Sequence, residues 1–207
     1  MTHIRAIGLA VAATALLAAC ADPTPPVAPG APFLALSDAS AEQVPTQEDA
    51  RQIAALAALL RSLGPGVDPE EAERAARISL LYPRQLRQEY GVTDPPVIHN
   101  IKVNSGLRPR GLCWHWAEDM EKRLRSENFR TLDVHRAIAN AGNPLRLEHS
   151  TALLSAKGAP WNRSVVVDPW RFGGTLFWSK VVDDTRYRWH SQAEVHAMKR
   201  KRIEAGI

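Results

Sequence analysis

Apolar and polar positions follow a helical period in two stretches of the N-terminal part of the chain. Thr46 is a typical N-cap residue, and apolar side chains then recur every three or four positions until a Gly-Pro-Gly sequence ends the pattern. Asp68 precedes a proline and starts the second stretch, whose apolar face continues to Pro83. We expect residues 46–93 to form an N-terminal helical segment that has no chemistry of its own.

The period changes after residue 94. Residues 97–103, with the sequence VIHNIKV, alternate along the chain and predict a short strand or extended segment. A loop with Gly and Pro leads to Cys113, after which opposite charges three and four positions apart predict a helix. Apolar runs separated by Asn, Gly and Pro then predict three consecutive antiparallel strands and one or two more, at residues 131–140, 145–157, 163–170, 175–183 and 186–191.

The first 20 residues have the features of an export signal. Residues 1–19 combine a basic start, a short apolar run and small residues at the end, which is typical of a signal peptide. The apolar run is too short to span a membrane. The sequence Leu-Ala-Ala-Cys that ends at Cys20 resembles the lipobox of bacterial lipoproteins. This resemblance implies cleavage before Cys20 and acylation of its sulfur, which anchors the protein to a membrane. An ordinary secretory signal that ends near Ala19 is the alternative.

The same resemblance implies a location. Ala21 and Asp22 do not form the usual retention signal for the inner membrane, so we expect the protein in the bacterial cell envelope, on the outer membrane facing the periplasm. Residues 20–45 are rich in Pro and Ala and have no sustained period, which predicts an extended tether between the lipid at Cys20 and the folded part.

The composition is that of a folded domain with a moderate positive charge. Apolar residues make up 45% and charged residues 23% of the chain, and the net charge is +4. Such a charge is compatible with nucleic-acid binding in the cytosol, but an exported lipoprotein rarely meets nucleic acid and we expect none. Residues 199–202, with the sequence KRKR, favour contact with anionic lipid or acidic envelope polymers. A solvated tail is the alternative.

Cys113 is a lone thiol if Cys20 is acylated, because the chain has 2 cysteines. An odd cysteine in an exported protein indicates an intermolecular bridge or a reactive thiol, and a buried structural cysteine is the alternative. The predicted position at the start of a helix favours reactivity, because the helix dipole stabilises a thiolate there. We expect this thiol to be partly open to solvent.

Two later residues complete a candidate catalytic group. His149 lies within the second predicted strand, and Asp168 ends the third. Neighbouring antiparallel strands can bring them side by side, with the imidazole directed at Cys113. Nucleophilic catalysis needs a thiol, a base within hydrogen-bond reach and a third group that fixes the tautomer of the base. A core histidine and a turn-forming aspartate before Pro169 are the alternatives.

Three stretches, GLCWHWA, EHSTALL and WNRSVVVDPW, resemble the papain-like and transglutaminase-like cysteine enzymes. The resemblance covers residues 97–190 and implies that Cys113 is the nucleophile, His149 the base and Asp168 the orienting acid. It also implies an α+β fold for residues 94–207: a papain-like/transglutaminase-like core in which the nucleophile helix packs on an antiparallel sheet. The residues after the histidine and after the Asp-Pro pair depart from those frequent in the family, and these positions shape the substrate cleft.

Other polar residues have weaker assignments. An oxyanion would be bound by the backbone N–H of Cys113 and one further donor, for which Asn104 or Asn100 is a candidate. His115 is two positions from Cys113 on a helix, so it does not face the thiol and is neither its base nor its metal partner. The remaining histidines show no zinc pattern, and no metal site is predicted. Five tryptophans line a cleft or fill the core: Trp114, Trp116, Trp161, Trp170 and Trp178.

The sequence therefore predicts acyl transfer from an amide through a thioester at Cys113. The acyl group would end on water, as in a peptidase or amidase, or on an amine, as in a transglutaminase. An envelope protein or peptidoglycan is the expected substrate, and no cofactor is required. The alternative is a non-catalytic envelope lipoprotein that uses the same fold as a binding or structural module.

Overall fold

The computed structural model describes residues 45–206. The predicted signal peptide, Cys20 and all of the predicted tether except residue 45 lie outside the described residues. Within the described range the chain forms five α-helices: α1 (Gln47–Arg61), α2 (Pro69–Glu89), α3 (Pro96–Asn104), α4 (Cys113–Arg125) and α5 (Gln192–Glu204). The same range forms five strands: β1 (Leu132–Ala139), β2 (His149–Ala156), β3 (Val165–Phe172), β4 (Thr175–Lys180) and β5 (Trp189–Ser191).

The strands form one antiparallel sheet in the order β4-β3-β2-β1-β5. In the register of this sheet Ala139 pairs with His149, and Ala152 pairs with Val167. The predicted antiparallel strands are therefore confirmed, and so is the α+β class. The prediction that Asp168 ends the third strand is wrong, because β3 continues through Pro169 to Phe172.

The predicted starts of the first two helices are confirmed. Thr46 caps α1 in a reciprocal pair with Asp49, in which each side chain accepts the other residue's backbone N–H. The Asp68 side chain accepts the N–H groups of Glu70 and Glu71 at the start of α2.

The prediction that α2 ends at Pro83 is wrong, because the helix continues to Glu89. A proline inside a helix removes one backbone hydrogen bond and costs about 3 kcal/mol. The extra turns bury Leu86 and bring Tyr90 into a cluster with Cys113. Burial of each large apolar side chain contributes roughly 1.5–3 kcal/mol, so this packing offsets the cost of the proline.

The prediction of a strand at residues 97–103 is also wrong, because this segment forms α3. Pro96 occupies the first helical position, where its fixed backbone angle suits a helix. The helix buries the polar side chains of His99 and Asn100 and exposes Ile98 and Ile101. The alternation of apolar residues was therefore a misleading signal, since the buried positions here are polar and hydrogen-bonded.

The main core lies between one face of the sheet and helices α1, α2 and α4. Apolar side chains from these helices interdigitate with the alternate strand residues that point to this face. Its buried members include Leu56, Leu60, Ala72, Ala75, Met120, Leu124, Ala152, Leu154, Val165 and Val167. The packing fixes α4 against the sheet, as predicted for the helix that starts at Cys113. The opposite face is covered by aromatic residues near the C-terminus, chiefly Tyr187 and Trp189.

The basic residues 199–202 belong to α5 and not to an unstructured tail. Ser191 and Glu194 cap this helix, and Val195 is buried beneath it. The ammonium group of Lys199 lies 2.8 Å from a carboxylate oxygen of Glu148, on the residue before β2. None of the helices in residues 45–206 has the length and apolar character needed to span a bilayer.

Candidate active site

The backbone just before Cys113 is held by three hydrogen bonds to two side chains. The Nδ1 atom of His115 accepts the N–H groups of Gly111 and Leu112, each at 3.1 Å. The indole Nε1 of Trp116 donates to the Gly111 carbonyl at 3.0 Å. These contacts fix the entry into α4, of which Cys113 is the first residue.

His115 acts as an acceptor because its imidazole is neutral. Burial, with the nearby charge of Arg110, lowers the pKa of His115 to about 4. The structure therefore gives this histidine a capping role at the helix start. Sequence reasoning rejected it as a base and missed this role, although an acceptor within the first turn is a known cap signal.

Gly111 is required by its backbone angle and by its neighbour. Its φ is +122°, a region that residues with a Cβ rarely adopt. A Cβ at this position would lie 2.3 Å from Nε2 of His99. That nitrogen in turn lies 2.9 Å from the carbonyl oxygen of Arg110, so the imidazole packs directly beneath the loop.

His149 and Asp168 are in direct contact. The Nε2 atom of His149 lies 2.6 Å from Oδ2 of Asp168, and both side chains are buried. Because a carboxylate only accepts, Nε2 is the donor of this bond, and in the neutral form of the imidazole the lone pair is on Nδ1. That Nδ1 is buried and has no hydrogen-bond partner among the residues described.

The thiol of Cys113 lies beside the start of β2. Its Sγ donates to the carbonyl oxygen of Glu148 at 3.6 Å, one residue before His149. The exposed fractions of Cys113, His149 and Asp168 are 0%, 2% and 1%. The expectation of a partly open thiol is therefore wrong, because Tyr90, Trp116 and Trp170 pack around it.

Aromatic rings enclose the imidazole of His149. The ring centroids of Trp170, Tyr187 and Trp189 lie 4.7, 4.6 and 5.4 Å from that of His149. Trp116 and Trp170 are buried, whereas Trp114, Trp161 and Trp178 are half-buried. Of the tryptophans in the sequence prediction, Trp170 is therefore the one that contacts both the imidazole and the cluster around the thiol.

The two asparagine candidates lie at different places. Asn104 is exposed at the last residue of α3. Asn100 is buried, and its side-chain oxygen accepts the indole N–H of Trp170 at 3.1 Å. The structure thus links Asn100, through a ring that contacts His149, to the candidate site.

Asp168 has a second partner that the sequence did not indicate. The Nε atom of Arg171 donates to the same Oδ2 at 3.1 Å, and its other nitrogens bond Asp184. Burial by itself raises the pKa of Asp168, but the charges and hydrogen bonds of His149 and Arg171 outweigh it and lower that pKa. In a regular strand, the side chains of residues 168 and 171 would point to opposite faces of the sheet. An irregularity in β3 brings them together.

Within residues 45–206, no three His, Cys, Asp or Glu side chains are grouped closely enough to hold a metal ion. Comparison with models of protein families, with curated proteins and with solved structures finds no match for this chain. The fold and the site thus define an α+β protein with a buried cysteine at a helix start and a buried His–Asp pair on the adjoining sheet. Any functional conclusion has to come from this chemistry.

Proposed function

We propose that this chain is a thiol enzyme with a papain-like/transglutaminase-like core, which cleaves or transfers an amide acyl group through a thioester at Cys113. The observation that carries the proposal is the 2.6 Å hydrogen bond from His149 to Asp168. It fixes the tautomer in which Nδ1 is the basic atom, and Nδ1 is the buried atom without a described partner. Nucleophilic catalysis needs such a base next to the nucleophile, and the support for this is that the thiol at the start of α4 contacts the carbonyl of Glu148, the residue before His149.

In the proposed reaction the Cys113 proton moves to Nδ1 of His149 and the thiolate attacks the amide carbon. The helix dipole of α4 stabilises negative charge at this end, and Asn100 is better placed than Asn104 to supply a second oxyanion donor. The imidazolium gives its proton to the leaving amine, and a thioester remains on Cys113. Water or a second amine then attacks the thioester, and the thiol is restored.

This reaction requires two changes from the described arrangement. The thiol has to leave the Glu148 carbonyl, because that acceptor stabilises the protonated form. The side chains that cover Cys113 have to move so that an acyl group reaches the sulfur. Catalytic hydrogen bonds often form only when substrate is bound, so the present contact is compatible with the proposal.

A second candidate is favoured by the complete burial of the thiol. A non-catalytic envelope module would use Cys113 as a small core residue and the His149–Asp168 pair as a satisfied polar contact. The hydrogen bond from Sγ to the Glu148 carbonyl fits this alternative directly.

Alkylation of Cys113 separates the two candidates. In the full chain with Cys20→Ala, Cys113 is the only thiol, and its reaction with iodoacetamide at pH 7 is followed by mass spectrometry. We expect His149→Gln to slow alkylation of the folded protein at least about tenfold, because the base that accepts the thiol proton is lost.

The matched control is His135→Gln, since His135 lies on β1 and contacts Ser155 away from the thiol. This substitution should leave the alkylation rate unchanged. Alkylation that needs denaturant in the parent chain and is independent of His149 would contradict the enzyme proposal and support the structural module.

We also propose that Cys20 is lipidated and holds the protein on the outer membrane, where envelope protein or peptidoglycan is the substrate. The support is the Leu-Ala-Ala-Cys sequence and the absence of the usual retention signal after it. In a bacterial host fed labelled palmitate, the parent chain is expected to carry label and to sediment with membranes. Cys20→Ala should lose both properties, whereas Cys113→Ala, the change at the other cysteine, should keep them. A mature protein with unmodified Cys20 would exclude the anchor.

A further inference from the structure

Five side chains form a continuous chain of hydrogen bonds that starts at the imidazole. His149 donates to Asp168, Arg171 donates to the same carboxylate, and Arg171 also donates to Asp184 at 2.7 Å. The indole of Trp189, whose ring also contacts His149, donates to Asp184 at 2.9 Å. The chain therefore closes around the imidazole from two sides.

The charged side chains of Arg171 and Asp184 are both buried. The side chains of Arg171 and Asp184 are almost fully covered, and the guanidinium carbon of Arg171 lies 3.7 Å from the ring centre of Phe177. Desolvation of an ion pair is expensive, and an apolar pair of similar size is often as stable or more stable. A fold that needed only a packed core at this place would not require two carboxylates and a guanidinium.

The charges alternate along the chain, and this has a consequence for the imidazole. With a neutral His149, the three charges of Asp168, Arg171 and Asp184 leave one net negative charge. When His149 takes a proton, the group becomes neutral. The positive charge of Arg171 reduces the attraction of Asp168 for the imidazolium. The negative charge of Asp184 partly cancels that of Arg171 and so restores part of this attraction.

The geometry adds a positioning effect. Oδ2 of Asp168 accepts from both His149 and Arg171, and Oδ1 accepts the backbone N–H of Arg171 at 3.3 Å. Three donors on two oxygens leave the carboxylate one orientation. The imidazole that it holds is fixed to the same extent.

We propose that Arg171 and Asp184 are positioning residues, which hold Asp168 against His149 and set the charge that the imidazole meets. This inference rests on the proposed function, because it assigns the two residues to the same base. Neither residue touches the expected substrate carbon, and neither is assigned a proton transfer.

The test follows the pH titration of the His149 imidazole by NMR in the full chain with Cys20→Ala. Arg171→Gln removes positive charge beside Asp168 and is expected to move the midpoint of the His149 signal upward by at least about half a pH unit. Asp184→Asn removes the negative charge that partly cancels the charge of Arg171, and it is expected to move the His149 midpoint downward. Asp168 and Tyr187 contact His149, Cys113 shares a cluster with Trp170, and Arg171 and Asp184 continue the hydrogen-bonded chain from Asp168. Neither substitution alters Cys113, Asp168 or Tyr187.

Three further variants keep the result interpretable. Lys157→Gln removes one positive charge at the far end of β2, where Lys157 pairs with Asp133, and controls for net charge. Arg171→Lys keeps the charge and should shift the midpoint less than half as much as Arg171→Gln. If Arg171→Gln does not fold, Arg171→Gln with Asp184→Asn removes the buried pair together, and its midpoint should lie above that of Asp184→Asn alone, because the guanidinium charge is lost as well.

The inference is supported if the His149 midpoint moves in opposite directions in Arg171→Gln and Asp184→Asn, and if each shift exceeds that in Lys157→Gln. Two residues with a purely structural role would not shift the midpoint in opposite directions. Shifts in the same direction, or no larger than in that control, would overturn it. If this happens while His149→Gln still slows alkylation, the positioning inference fails alone. If alkylation is independent of His149, the proposed function fails whatever the titrations show.

Discussion

Asp168→Asn is expected to slow the acylation of Cys113 by roughly 10³- to 10⁴-fold while the protein remains folded. The reason lies in the two oxygens of Asp168, which accept from three donors. An asparagine has one oxygen and one NH₂ group. If its oxygen faces His149, the NH₂ group meets the backbone N–H of Arg171. If the amide is flipped, NH₂ faces Nε2 of His149 and places the proton on Nδ1, which then is no base.

The acylation is measured with p-nitrophenyl acetate, an activated ester that does not depend on the natural substrate. Release of p-nitrophenol and the mass of acetylated Cys113 are followed in the full chain with Cys20→Ala. The matched control is Asp133→Asn. Like Asp168, Asp133 accepts from a basic side chain (here Lys157) and from a backbone N–H, but it lies at the far end of the sheet. Equal rates in the parent and Asp168→Asn, with an unchanged unfolding curve, would remove Asp168 from the proposed mechanism.

Gly111→Ala is expected to lower the free energy of unfolding by about 2–6 kcal/mol, from backbone strain and overpacking together. Backbone strain contributes about 1–3 kcal/mol, because φ is +122°. The contact with His99 adds about 1–3 kcal/mol of overpacking, because the ring is buried and hydrogen-bonded to Arg110.

Denaturant unfolding measures this effect, and Gly158→Ala is its matched control. Gly158 also has a positive φ of +74°, but a Cβ there would meet no atom within 4 Å. We expect the control to cost only about 1–2 kcal/mol, which is the cost of the backbone angle. In a His99→Ala background, the cost of Gly111→Ala should fall towards that of Gly158→Ala. Equal costs at the two glycines in the parent chain would show that the His99 contact has no energetic effect.

Most of the secondary structure follows from local signals. The caps at Thr46 and Asp68, the helix after Cys113 and the antiparallel strands depend on neighbours in the sequence, and these predictions are confirmed. The two errors have tertiary causes. Pro83 is tolerated because the turns after it bury large side chains, and α3 forms because His99 and Asn100 find partners that are distant in the sequence.

The candidate site was predictable only in part. The spacing of the motifs gave Cys113, His149 and Asp168, since each follows a recognisable helix or strand signal. The contacts of Arg171 and Asp184 had no such signal, because an irregular strand brings Arg171 to Asp168 and a loop brings Asp184 to Arg171. The burial of the thiol likewise depends on α2, whose last turns carry side chains that no motif connects to the site.

The buried thiol has a consequence for the redox chemistry of this chain. Cysteines in an oxidising environment are converted to sulfenic acids or to mixed disulfides, and the rate follows exposure and thiolate content. Cys113 is covered by Tyr90, Trp116 and Trp170, and its proton is donated to a carbonyl. Peroxide and foreign thiols therefore reach this sulfur only when the covering side chains move. In the proposed periplasmic thiol enzyme, this cover would slow oxidation of the sulfur between turnovers.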